Sequence, residues 1–540
     1  MDQSRRRPGT PTLSLVPAES PRETLVARVR RSIVSEVRRG RLRPGQALPG
    51  SRPLAAALGV HRNTVLAALR ELESEGWVSA SPAKGTFVSE ALPERRPRAE
   101  VPDAAPDRPG FDVPDDPWKS PKGDDPWKSP KGDDPWKSPT GGDPWKSPTG
   151  EDSWVPSRSA RALSFYGGIP DVRLVDTALL ARALRRALRD PSTLRYGSPL
   201  GDLRLRRALS RLLSDTRGVP RAEDEILVTS GSQMAIDLVG RALVPRGAVV
   251  AVEALGYRPA WDALRRAGVE LVPVPVDGEG LDVSALERIA RKKTLAGVLL
   301  TPHHQCPTTV TLSAPRRVAL LELARRSRWI VLEDDYDHEF HYEGRPILPL
   351  ASADPGGNVV YVGTLSKVLS PGLRVGYVAA PRSVVKRLAA LRASTDREGN
   401  HVVERAVAEL LEDGEAERHV RRARKVYHAR RDALVGLLAT TFGESLRFRV
   451  PGGGTSIHAT VGGDVDVESV VDRAYELGLS LQSPRTFAFD GRTKPFLRLG
   501  FAQHDEAELA KAVAILARVL PRAKPRRPRA GPSPDRAAAP

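Results

Sequence analysis

Two hydrophobic rhythms divide this chain. Between residues 22 and 90, Val26, Val29, Ile33 and Val37 recur at helical spacing, which predicts an amphipathic helix ending near Gly40. Pro44 and Gly45 turn the chain, residues 52–58 predict a short second helix, and Gly59 makes a tight turn. Residues 63–75 predict a third helix with Val65, Leu69 and Leu72 on its inner face, stopped by Gly76. WVSAS and TFVS, joined by a PAKG loop, then read as two short strands.

From about residue 161 to 520 the rhythm changes. The apolar runs EILVTSG, AVVAVEA, LAGVLLTP, WIVLEDD and NVVYVGT alternate with helix-period segments. Strands alternating with helices predict crossover connections, hence a mainly parallel sheet covered by helices on both faces. Residues 91–160 follow neither rhythm. They are rich in Pro, Asp, Gly and Ser, and residues 115–150 repeat DDPWKSPKG nearly four times, with tryptophans at 118, 127, 136 and 145. A unit with no aliphatic residue cannot offset the entropy of folding, and its Asp and Lys nearly cancel. It reads as a semi-stiff linker, although evenly spaced Trp–Lys pairs could also stack single-stranded nucleic acid or fill a partner's groove. The leader at 1–21 and the basic, proline-rich tail at 521–540 are expected to be disordered.

A length of 540 residues exceeds one ordinary core and implies several domains. The net charge of +18 points to an anionic partner, nucleic acid before an acidic membrane surface. One cysteine, Cys306, excludes an intramolecular disulfide and a cysteine-rich metal site. With no signal-peptide pattern and no apolar run of about 18 residues, a cytoplasmic protein is expected, without a membrane partner.

The helix, Gly turn and helix of the N-terminal segment form a helix-turn-helix, and the strand pair adds a wing. His61, Arg62, Asn63 and Thr64 at the start of the third helix suit base edges in a major groove. Arg52 and the wing residue Lys84 can neutralise phosphates. RGRLRPGQALP, SRPLAAALGVHRNTV, LRELESEGWV and KGTFV resemble the GntR-type winged helix, departing where Gly50 and His61 replace the family's common serines and in the SPAKGTF wing.

In the larger part, Lys367 lies just past an apolar strand in VVYVGTLSKVLSPGLRVGYVA, with Thr364 and Ser366 before it and Arg374 after it. A lysine that forms a Schiff base must be neutral part of the time, which burial beside cations achieves. Thr364, Ser366 and Arg374 could together hold a phosphate. Upstream, WIVLEDDYDHEF puts Asp334 and Tyr336 at a strand's carboxyl end, where open α/β sheets bind ligands. A carboxylate there can pair with a protonated pyridine nitrogen, and a phenol two residues on can reach a ring oxygen. In ILVTSGSQMAIDLVGRAL, Ser230, Gly231, Ser232 and Gln233 lead from strand into helix, a phosphate cradle at a helix N-terminus.

Together these stretches resemble an α/β, fold-type-I aminotransferase domain dependent on pyridoxal 5'-phosphate, with a mainly parallel sheet and a smaller C-terminal α+β subdomain. The resemblance implies Lys367 as the internal aldimine lysine, Asp334 on the pyridine nitrogen, and Tyr336 on the ring hydroxyl. It implies Gly231, Ser232, Gln233, Thr364, Ser366 and Arg374 around the phosphate, Tyr257 over the cofactor face, and Arg498 on a substrate carboxylate. Tyr196 matches a tyrosine that crosses to the partner subunit's phosphate, which implies a homodimer. The chain departs at Leu255, where relatives have proline, at Pro-Thr-Thr for the usual Pro-Thr-Gly, and at Cys306, where many true aminotransferases have asparagine. His303 and His304 have no third ligand at metal spacing, so no metal is expected.

A winged helix, a linker and this domain resemble the MocR/GabR-type transcription regulators. The resemblance implies a regulator that binds a double-stranded DNA operator and senses a small amine, an amino acid or the vitamer. An active aminotransferase carrying a DNA-binding head, or a cofactor-free dimerisation scaffold, are the alternatives. Between the two modules the repeat is expected to be an adjustable tether. A flexible segment of this length spans roughly 40–50 Å and an extended one roughly 200 Å, so deleting one unit should alter tolerance to half-site spacing.

Overall fold

The computed structural model describes residues 24–38, 41–74, 77–81, 85–89, 109–113, 163–343, 347–354 and 356–520. The wing tip with Lys84, the leader, the tryptophan repeat and the basic tail lie outside the described residues.

The N-terminal segment forms helices Leu25–Arg38, Ser51–Leu58 and Arg62–Ser74, then paired antiparallel strands Val78–Ser81 and Gly85–Val88. The expected apolar stripe is its core: Val29, Ile33, Val37, Val65, Leu69 and Leu72 are buried with Leu54 and Trp77. Gly59 ends the second helix at φ 63°, a left-handed conformation that suits glycine.

The larger part is built on a seven-stranded sheet. In spatial order its strands are Ile226–Thr229, Gly376–Ala379, Val359–Thr364, Ile330–Asp335, Leu295–Leu300, Val249–Glu253 and Glu270–Val274. Gly376–Ala379 runs antiparallel to both neighbours, and the other pairings are parallel. Alternation along the strands feeds two cores. Val359 and Tyr361 enter one with Leu205, Leu209 and Val407, while Val360 and Val362 enter the other with Ile236, Leu264 and Val385. Both faces are therefore covered by helices, as the unbroken apolar runs required.

A second, antiparallel sheet of Leu446–Phe448, Ser456–Val461 and Phe496–Gly500 forms the smaller C-terminal subdomain. Its core includes Phe165, Leu438, Ile457, Leu499 and Leu516. Leu163–Ser164 pairs with Leu479–Ser480, tying the start of the larger part to this subdomain.

Residues 109–113, inside the stretch read as linker, pack on the large domain. Phe111 is 2% exposed and belongs to the same core as Ile236 and Val360. Burying such a side chain contributes about 1.5–3 kcal/mol. Among the described residues no helix is long and apolar enough to cross a membrane.

Candidate functional site

All the parallel strands, with Ile226–Thr229, deliver their carboxyl ends to one edge of the sheet, and the predicted residues gather there. Gly231 follows one strand at φ 89° and starts the helix Ser232–Leu243 without a side-chain cap. The helix's first amides therefore remain available to an anion. Arg374 closes over this turn: its Nη2 donates to Ser230 O at 2.7 Å, and a Cβ on Gly231 would stand 2.8 Å from it. Glycine is needed there on both counts. Thr364 and Ser366 are both buried beside it on the loop from the neighbouring strand. Thr364 Oγ1 accepts from Ser366 N at 3.1 Å, and Ser366 Oγ is buried with no partner among the described residues. Gln233, expected at the phosphate, turns elsewhere in part: its Nε2 donates to Pro259 O at 2.7 Å.

Lys367 sits one residue past Ser366. Burial, then the Arg498 guanidinium, pulls its ammonium down to about 8, against the carboxylates of Asp337 and Asp334. A lysine so placed is neutral in an appreciable fraction of molecules near neutral pH. Asp334 ends the strand Ile330–Asp335, is 4% exposed, and is pushed up to about 7 by burial and by Asp335, with Lys367 opposing. Its Oδ1 is buried without a partner among the described residues, as a carboxylate waiting for a cationic donor would be. Burial raises Tyr257 to about 12, and the charges of Asp334, Cys306 and Arg374 act on it.

Arg498 lies on the strand Phe496–Gly500 of the smaller sheet and is 6% exposed. Its Nε has no partner among the described residues, and Phe487 lies 5.9 Å from its guanidinium carbon. Tyr336 Oη donates to the His304 carbonyl at 2.7 Å. Cys306 is buried among Phe487, Phe496, Leu255 and Tyr336, and burial pushes its thiol up, so it is a neutral, apolar wall.

Several neighbours of the site gave no signal of their own in the sequence. The main chain of Gly167 and Gly168 lines it: a Cβ at Gly167 would stand 2.5 Å from Arg498 Cζ, and one at Gly168 3.7 Å from Lys367 Nζ. His458 pairs in register with Arg498 across the sheet, and burial, then Arg498, takes its ring down to about 4. Asp337 Oδ1 accepts from His304 Nδ1 at 2.8 Å. Only the Gly-Gly pair could have been found by eye, since the others depend on strands that meet from distant parts of the chain.

The two paired histidines diverge. His304 joins Asp337, while His303 Nε2 donates to Ile347 O at 2.6 Å. The expectation that no third group stands near His303 does not hold: the fold brings Asp335 and His338 to it, all three buried. Sequence spacing hid this because Asp335 ends the next parallel strand and His338 lies in the turn after it. Asp335 Oδ2 already accepts the Tyr361 hydroxyl at 2.8 Å, and His338 Nδ1 lies 3.0 Å from the same oxygen.

Tyr196 does not reach the cradle of its own chain. It stands 80% exposed in a groove lined by Leu194, Glu398, Asn400 and His401, with the Arg397 guanidinium 4.3 Å over its ring. In the head, Arg52, His61, Arg62 and Asn63 are exposed and Thr64 half-buried at the start of the third helix. His61 also caps that helix, its Nδ1 accepting from Asn63 N at 3.2 Å, and Arg62 Nε donates to Ser51 Oγ at 3.1 Å.

The partnerless Asp334 and Ser366 oxygens, the uncapped helix start and the Arg374 lid together fit pyridoxal 5'-phosphate in charge and donor type. The comparisons agree. The aminotransferase class I and II family matches residues 171–516, and the bacterial regulatory proteins of the gntR family match residues 25–88. The HTH-type transcriptional regulator TauR of Rhodobacter capsulatus is 31% identical over 92% of this chain and 96% of its own. The probable rhizopine catabolism regulatory protein MocR of Rhizobium meliloti is 29% identical over 75% of each. Among solved structures, the kynurenine aminotransferase of Pyrococcus horikoshii is 30% identical, with a TM-score of 0.63 over 67% of this chain and 91% of its own.

Proposed function

Since the chain belongs to the aminotransferase class I and II family and carries a gntR-family winged helix, the build of the HTH-type transcriptional regulators, we propose that it senses an amino compound at Lys367 and passes that state to its DNA-binding head. It is a DNA-binding regulator with pyridoxal phosphate as its cofactor. The observation that carries the sensing proposal is Lys367 itself, drawn to about 8 among Arg498, Asp337 and Asp334 in a chain that begins with a winged helix.

When bound, the cofactor supplies an aldehyde that condenses with amines and a ring that withdraws electrons. The chain's part is to hold and select. Asp334 would hold a proton on the ring nitrogen, Tyr336 would stand by the ring oxygen, and Gly231, Ser232, Thr364, Ser366 and Arg374 would hold the phosphate. Lys367 would provide the amine that holds the cofactor's aldehyde, the group for which an effector's amine would compete. Arg498 grips a carboxylate on that effector by its planar fork, which selects amino acids over simple amines. Cys306, a neutral wall where an asparagine would donate, favours binding over complete turnover.

The body works as a homodimer, with Tyr196 reaching the partner's phosphate; the exposure of Tyr196 and of Leu194, at 65%, supports a covering second copy. Such a dimer sets two heads for paired half-sites, in the cytoplasm where the DNA is. Absorbance spectroscopy tests the reading. Lys367→Ala should lose the visible band of lysine-bound cofactor, and amino acids should alter the wild-type band without sustained conversion. Continuous turnover with a keto acid would instead identify an aminotransferase that carries a DNA-binding head.

A further inference from the structure

The contacts of residues 109–113 form a built seat. Gly110 donates its amide to Gly357 O at 3.1 Å and accepts from Asn358 Nδ2 at 3.1 Å. A Cβ at position 110 would fall 2.3 Å from Gly356 O, so only glycine lets the main chain come this close. Asn358 is itself fixed by donating to Trp329 O at 2.9 Å. Phe111 then enters the core at 2% exposure, Val113 packs against the same core, and Asp112 accepts from Arg328 Nε at 3.0 Å. The seat lies at the amino ends of the strands Ile330–Asp335 and Val359–Thr364, the sheet edge opposite Lys367.

We propose that this seat fastens the DNA-binding head to the body. The path from head to body then runs through residues 90–108 alone, and the tryptophan repeat comes after the seat in the chain. The proposal rests on the DNA-binding reading of the head. Both ends of residues 114–162 are held on the same body: Val113 by the seat, and Leu163 by donating its amide to Gly478 O at 3.1 Å and pairing with Leu479. A chain segment closed at both ends on one body cannot lengthen the path from that body to anything else. The head's reach therefore comes from residues 90–108. As a coil these span about 25 Å, and fully extended they reach at most about 65 Å. On this proposal the repeat number drops out of half-site geometry, in place of the expected adjustable tether.

The test uses the full chain and DNA carrying two half-sites at varied spacing. Deleting residues 115–123, one repeat unit, should leave the spacing profile unchanged. Deleting nine residues between 91 and 108 should narrow it, and Phe111→Asp should widen it by freeing the seat. A shift on deleting 115–123 as large as that on shortening 91–108 would overturn the proposal. Hydrogen exchange on the unaltered protein decides independently of whether Phe111→Asp folds: the 109–113 peptide should exchange at least tenfold more slowly than a denatured control, and equal rates would overturn the seat. Single half-site affinity and the cofactor band are read alongside. Their loss in the unaltered protein would sink the functional reading and not the seat.

Discussion

Thr309 adopts φ 60°, the left-handed region, at the end of the Pro-Thr-Thr stretch. A β-branched residue there costs roughly 1–2 kcal/mol, of which glycine's greater freedom when unfolded gives back part. Thr309→Gly should stabilise the protein by about 0.5–1 kcal/mol in urea unfolding, and a lower midpoint would contradict the strain. Lys367 sets a pH rule. On the proposed reading its amine must be neutral to take up the cofactor, and its value near 8 puts that proton loss within reach. Stopped-flow attachment of added pyridoxal phosphate should speed up about tenfold per pH unit below 8 and level off above it. On the proposed reading Arg498, 6% exposed, grips the effector's carboxylate, so Arg498→Ala should keep the visible band and lose its response to amino acids. At this scale the sequence showed residues flanked by local pattern, such as Lys367 between Ser366 and Arg374. It hid His458 and Asp337, whose roles come only from strand register and burial.

Among the elements, the long apolar runs were legible and the short or interrupted ones were not. Val359–Thr364 and Ile330–Asp335 are buried on both faces and read as continuous hydrophobic stretches. Glu270–Val274 is an edge strand that carries Pro273, tolerable only where one side needs no ladder bond. Gly376–Ala379 has four residues, too few to show a period, and its antiparallel course follows from its neighbours. In the head, the third helix begins with a histidine that both caps and faces outward. Replacing such a cap costs about 1 kcal/mol, and losing a base contact about 1–3 kcal/mol more. His61→Ala and Arg62→Ala should each weaken operator binding about tenfold in anisotropy titrations, with the cofactor band unchanged. Loss of that band as well would contradict two separable modules.

At the scale of the whole molecule, the charge of +18 and the winged helix draw the protein to DNA, and the proposed sensing is the body's part. Sequence composition marked residues 91–160 as foreign to either fold, yet it could not show that Gly110 and Phe111 belong to the body, because one apolar side chain in a polar stretch has no period. The central claim is that the state of Lys367 reaches the head. The measurement is the affinity of the full-length protein for DNA selected from a random pool, with and without pyridoxal phosphate and an amino acid, in wild type and in Lys367→Ala. The account predicts an affinity change of fivefold or more in wild type, about 1 kcal/mol or more of coupling, and none in the variant. Equal behaviour of the two proteins, whether both respond or neither does, would contradict it.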